Sequence, residues 1–221
     1  ITFMRLTGRR TSSNVDDRRG SSAGKAASLG IGGTIVIGLI MLLMGGDLSS
    51  VLQMVTSGGG LTGQTEVASD YQPTAEEEEL ATFASQILAG TEDVWTSIFK
   101  ENGLTYQPPK LVLFTNAVKS GCGNASSSSG PFYCSADQTV YIDLSFFSSM
   151  KKTIGADGDF AYAYVIAHEV GHHVQYLLGT LTEAHQQMSR LSEKEANKIS
   201  VRLELQADFY AGIWAYHDNK M

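Results

Sequence analysis

The chain has 221 residues, 43% hydrophobic and 18% charged, with 23 glycines, 4 prolines and 2 cysteines. That composition excludes a mostly disordered chain and a disulfide-dense miniprotein, and it is enough for one substantial core. A net charge of -7 argues against nucleic acid as the main partner.

The charge is unevenly laid out. Residues 1–25 carry Arg5, Arg9, Arg10, Arg18, Arg19 and Lys25 against Asp16 and Asp17, and read as a basic cytoplasmic segment. Residues 26–46 carry no charge and include Leu29, Ile31, Ile35, Val36, Ile37, Leu39, Ile40, Leu42 and Leu43. A helix of that length can cross a hydrocarbon core of about 30 Å. With the cationic flank held inside, the amino end is expected in the cytoplasm and everything after Asp47 outside the cell membrane. Two readings compete with this single transmembrane helix. A cleaved signal peptide needs a small-residue cleavage site next to the apolar core, which instead continues to Met44. A buried core helix would carry Gly30, Gly32, Gly33 and Gly38, each costing about 1 kcal/mol.

Residues 47–73 are rich in Gly, Ser and Thr and read as a flexible tether, leaving residues 74–221 as the folded domain. Thr74 is a plausible helix cap, and the acidic run Glu76, Glu77, Glu78, Glu79 suits the positive end of a helix dipole. Leu80, Phe83, Ala84, Ile87 and Leu88 recur at helical spacing; after an expected break near Gly90, so do Val94, Trp95, Ile98 and Phe99. Pro108 and Pro109 close that region. Strands are expected over residues 110–115 (KLVLFT) and 139–144 (TVYIDL), with a loop of turn-forming residues from Cys122 to Cys134 between them. In an oxidising compartment these two thiols should join, contributing about 3 kcal/mol in the chain-entropy model. Two free thiols or a share in a metal site are the competing readings.

The chemistry is concentrated in the last third. Residues 159–178 have helix-forming composition, with Gly179 as the stop, and contain His168-Glu169-Val170-Gly171-His172. Residues four apart share a helix face, so both imidazoles can reach one ion, and Glu169 is placed to hold a water there. A hydrolytic zinc site takes three protein ligands. His173, His185, His217 and downstream carboxylates compete for the third place, and His173 lies off the face that the pair shares. Ser192 and Glu195 make a capping box for a long amphipathic helix carrying Glu204 and Asp208, two carboxylates on one face. Like charges at that spacing repel, and a cation removes the penalty; a solvated acidic stripe is the bland alternative.

At this point HEVGH with a later ELQAD resembles the gluzincin pattern. The fuller set (SSNVDDRRG, AYVIAHEVGHHVQ, GCGNASSSSGPFYC and QTVYIDLSFF) resembles the bacterial putative neutral zinc metallopeptidase family along most of the chain. The resemblance implies an α+β, zincin-like domain and one Zn2+ per chain. It implies His168, His172 and Glu204 as ligands, Glu169 as catalytic base and Asp208 orienting His168. Members of that family continue past the equivalent of Met221, which implies a truncated carboxyl end. The expected function is a membrane-anchored zinc metallopeptidase acting on peptides or proteins; the alternative is a catalytically silent, zinc-stabilised binding or chaperone-like module. Tyr210, Tyr216, His185 and His217 are weak candidates for stabilising an oxyanion. In zinc proteases of this architecture an edge strand beside the metal helix receives the peptide, and residues 139–144 are the expected edge.

Overall fold

A computed structural model describes residues 6, 8–20, 71–154 and 158–218. The expected membrane helix, residues 26–46, and most of the expected tether lie outside the described residues. Among those described, no helix is long and apolar enough to cross a membrane.

The described residues form a mixed α+β unit. In chain order it contains β1 (Val15–Asp17), α1 (Ala75–Glu101), β2 (Lys110–Phe114), β3 (Ala117–Ser120), β4 (Gly123–Ser126), β5 (Phe132–Cys134) and β6 (Thr139–Asp143). Then come α2 (Ser145–Ile154), α3 (Asp159–Leu177), α4 (Thr180–Met188) and α5 (Glu193–Asp218). Thr74 caps α1 through a reciprocal box: its hydroxyl accepts from the Glu77 amide, and the Glu77 carboxylate accepts from the Thr74 amide. The expected break at Gly90 does not occur. A Cβ there would lie 2.8 Å from Asp218 Oδ1, so that glycine serves the approach of α5 to an unbroken helix.

Four strands form one sheet in the order β1-β2-β6-β5, with β1, β2 and β6 parallel and β5 antiparallel to β6. β2 is buried on both faces. Leu111 and Leu113 enter the main core with Ile87, Leu88, Ile166 and Trp214, while Val112 and Phe114 join a smaller cluster with Val118, Cys134 and Tyr141. That explains the unbroken apolar run KLVLF, as expected of a strand covered on both sides.

Three expectations are corrected. The segment from Cys122 to Cys134 is not simply a loop: it contains β4, paired with β3 in a hairpin, and β5. Its serine-rich composition has weak strand propensity, and pairing to neighbours overrides it. The Cys122–Cys134 disulfide is present, with Cα atoms 5.8 Å apart. Second, residues 139–144 are not the sheet edge. β6 runs between β2 and β5, all five of its residues are buried, and β5 is the edge on that side of the sheet, β1 being the other.

Third, the basic amino-terminal segment does not stand apart. β1 hydrogen-bonds in parallel to β2, with Val15, Asp16 and Asp17 opposite Leu111, Val112 and Leu113. The cations read as a membrane flank have specific partners. Arg9 pairs with Asp218 at 2.7 Å, Arg10 with Glu92 at 2.9 Å and Asp93 at 2.6 Å, and Arg19 with Asp17 and Glu78 at 2.6 and 2.8 Å. Ser12 and Asn14 donate to the buried Glu92 carboxylate. β1 is therefore part of the same folded unit as β2 and the helices that cover it.

Candidate metal centre

α3 carries His168 and His172 one turn apart, and α5 lies across it. The contact is close because Gly171 has no side chain: a Cβ there would sit 2.9 Å from the Ala207 carbonyl oxygen and 3.1 Å from its Cα. Backbone-to-backbone approach at that point brings Glu204, nearly one turn before Ala207, to the histidine pair. Glu204 Oε2 lies 3.2 Å from His168 Nε2 and 3.5 Å from His172 Nε2, and the three side chains are 7%, 12% and 11% exposed for His168, His172 and Glu204. The three donor atoms lie within 4.8 Å of one another. Ligand atoms around a tetrahedral zinc are separated by about 3.3 Å, from bonds of roughly 2.0–2.1 Å. Two neutral imidazoles and a carboxylate are also a donor set that zinc favours, so the residues present fit the ion.

Each imidazole has a partner on its far nitrogen. Asp208 Oδ1 accepts from His168 Nδ1 at 2.8 Å and from the Tyr164 hydroxyl, which fixes the proton on Nδ1 and leaves Nε2 facing Glu204. His172 Nδ1 lies 2.9 Å from Gln175 Oε1. Burial disfavours charge on these groups, but their mutual contacts outweigh it. Asp208 and Glu204 push the His168 pKa up to about 10, Glu204 and Glu169 raise that of His172, and the histidines draw Glu204 down to about 2. Asp208 is lowered by His168 and Tyr164 against its own burial.

Glu169 behaves differently. It is 1% exposed, no described side chain bonds to either carboxylate oxygen, and burial raises its pKa against the pull of His168, His172 and the Tyr133 backbone amide. A buried carboxylate without a side-chain partner beside a ligand triangle is poised for something the protein itself does not supply.

His173 points away from the triangle, as helical geometry predicts. Its Nε2 donates to the Gln107 carbonyl at 2.6 Å and its Nδ1 accepts from the Tyr133 hydroxyl at 2.9 Å. Burial lowers its pKa to about 4, so it is neutral at pH 7. Of the weak oxyanion candidates, Tyr210 packs edge-on against Trp95 and His217 against Tyr216. His185 feels the site, its pKa lowered by partial burial and then by His172. Sequence reasoning missed Tyr164 and Gln175. Both lie one turn from a ligand histidine, at positions 164 and 175 against 168 and 172, and that spacing was the available signal.

The fold and the site together define a class: a mixed α+β domain whose HExxH helix and a second, glutamate-bearing helix converge on a place for one divalent ion. The chain matches the family described as putative neutral zinc metallopeptidase over residues 4–221, and it belongs to that family. It is 48% identical to YpfJ of Escherichia coli strain K12, itself uncharacterized, over 222 aligned positions, covering 96% of this chain and 75% of YpfJ. The uncharacterized protein Rv2575 of Mycobacterium tuberculosis strain H37Rv is 50% identical over 113 positions, covering 51% of this chain and 37% of its own length. No solved structure matches.

Proposed function

We propose that the chain is a zinc-dependent peptidase with a zincin-like active site, in which His168, His172 and Glu204 hold the ion and Glu169 is the general base. The observation that carries this reading is the buried Glu169 carboxylate adjoining the ligand triangle, with no side-chain partner among the described residues. A bound zinc supplies Lewis-acid polarisation of a carbonyl and makes water more acidic. Glu169, with its basicity raised by burial, takes the proton from the attacking water and passes it to the leaving amine. Asp208 and Tyr164 hold His168 in the tautomer that presents Nε2.

Peptide binding is assigned to β5 and not to residues 139–144, which are covered on both sides. β5 is a sheet edge and lies against α3 through Tyr133, whose ring is 5.4 Å from that of His173. An extended peptide can add to such an edge by main-chain hydrogen bonds. The decisive experiment pairs two variants of the full chain. Glu169→Gln should keep zinc and lose about 100- to 10,000-fold of peptide cleavage, the usual worth of a general base. Glu204→Ala should lose the zinc itself. Zinc retained with wild-type cleavage in Glu169→Gln removes the base, and zinc without any cleavage in the unsubstituted protein points to the binding-module alternative.

We also propose that residues 8–20 and the domain share one oxidising, extracytoplasmic compartment. The β1–β2 pairing and the Cys122–Cys134 disulfide support this. In spheroplasts, a membrane-impermeant thiol reagent should label exposed cysteines introduced as Ser13→Cys and Ser189→Cys alike; labelling at one position alone overturns the shared compartment.

A further inference from the structure

We infer that Gln175 is the positioning residue of the second zinc ligand: its carboxamide fixes the His172 ring with Nε2 as the free donor and ties that ring to the backbone beside Glu204. The inference rests on the zinc-site reading above and extends it to a residue outside the ligand set.

Gln175 has no exposed surface, and its side chain is bonded at both ends. Its Nε2 donates to the Leu203 carbonyl at 2.7 Å and to Gln206 Oε1 at 3.0 Å. A backbone carbonyl only accepts, so the amide nitrogen must face Leu203, and the amide oxygen therefore faces His172. That oxygen lies 2.9 Å from His172 Nδ1. Because the oxygen can only accept, Nδ1 carries the proton, and the lone pair of the neutral ring is on Nε2, the atom 3.5 Å from Glu204 Oε2. Leu203 directly precedes Glu204, so one carboxamide bridges the second histidine ligand and the peptide unit that carries the third.

The two histidines are backed unequally, His168 by the Asp208 carboxylate and His172 by a neutral amide. Glu169, Glu204 and Asp208 already place three carboxylates around the pair. A neutral acceptor behind His172 orients the ring without adding another charge to desolvate. A purely structural role, stapling α3 to α5, would need the Leu203 bond alone and would be indifferent to what faces His172.

The test uses the full chain and reads zinc affinity by chelator competition, together with the 15N shifts of His172 in zinc-free protein at a pH where the ring is neutral. Gln175→Leu should weaken zinc binding by about 10- to 100-fold, as expected for an orienting partner, and release the ring from the single Nδ1–H tautomer. Gln175→Glu gives up the donor to Leu203 and adds a buried charge but keeps an acceptor for Nδ1–H, and should recover part of the lost affinity. Zinc affinity of Gln175→Leu within twofold of wild type overturns the inference, and so does an equal loss in both variants, which marks a staple. If the unsubstituted protein binds no zinc, the metal-site reading fails separately. The tautomer then decides: Nε2–H in the unsubstituted protein refutes the Gln175 assignment, and Nδ1–H lost in Gln175→Leu supports it.

Discussion

The two helices that carry the metal centre and the strand that borders it are held by different means. α3 and α5 meet deep in the core, where Ala163, Ile166, Val170, Ala211 and Trp214 are all buried, and their polar groups are linked by Asp208, Glu204 and Gln175. β5 has three residues and one strand neighbour. Its side chains anchor it from both faces: Tyr133 bonds to His173 on the α3 side, while Cys134 is in the disulfide and Phe132 stacks on Tyr141 at 4.8 Å on the other. The contrast follows from what each region does in the proposed reaction. Reacting groups require fixed positions, which a close-packed helical core provides. A strand that accepts a peptide must leave one row of backbone groups unpaired, so it cannot gain a second strand neighbour and is fixed by its side chains instead.

The largest expected effect therefore tests whether the strand can be loosened while the metal centre is left alone. Replacing the disulfide by Cys122→Ser with Cys134→Ala removes a cross-link spanning 12 residues of sequence. It should lower unfolding free energy by about 3 kcal/mol on the chain-entropy account, measured by urea denaturation. Cys134 is fully buried, so alanine at that position spares the cost of burying a hydroxyl. The proposed division of labour adds a sharper expectation: KM for a peptide rises more than kcat falls, and zinc affinity stays within twofold of the intact protein. A parallel fall in zinc affinity would show that the strand and the metal centre are one mechanical unit.

Much of the site was legible because it is encoded locally. The i, i+4 spacing fixes the His168–His172 pair on any helix, and of the apolar residues flanking Glu204 and Asp208 only Leu203 and Ala207 are buried, Leu205 and Phe209 being exposed. Gln175 and Tyr164 escaped notice because a lone glutamine or tyrosine in a helix has many uses, and the partner that gives each its role comes from a distant helix. The sheet was harder. Strands 139–143 and 110–114 were visible from their apolar patterns, but which strand lies at the edge depends on β5, whose three residues sit in a serine- and glycine-rich stretch with no alternation long enough to read. That the amino-terminal segment joins the fold was hidden for a physical reason of the same kind. Arginines beside an apolar run satisfy a membrane rule locally, and only the folded structure reveals Asp218, Glu92 and Glu78 as their partners.

The smaller effect probes the helix pair from inside its tightest contact. In Gly171→Ala the new methyl would lie 2.9 Å from the Ala207 carbonyl oxygen, and that obstacle is backbone, which cannot rotate away. Overpacking of this kind costs about 1–3 kcal/mol, offset in part by the roughly 1 kcal/mol that alanine gains over glycine within a helix. A net loss of about 0–2 kcal/mol in unfolding free energy is the expected balance. Gly212→Ala, on α5 with nothing within 4 Å of its added carbon, supplies the comparison. It retains the propensity gain without the clash and should be stabilising by up to about 1 kcal/mol. Because Glu204 and Asp208 both ride on α5, separating the helices moves a ligand and the His168 partner together. Zinc affinity should therefore fall in Gly171→Ala with KM for peptide little changed, the reverse of the disulfide variant. Unchanged zinc affinity in Gly171→Ala would mean that α5 tilts about the contact and carries Glu204 back to the histidines, which would place the control of ligand geometry in the side-chain bonds of Asp208 and Gln175 and not in the helix separation.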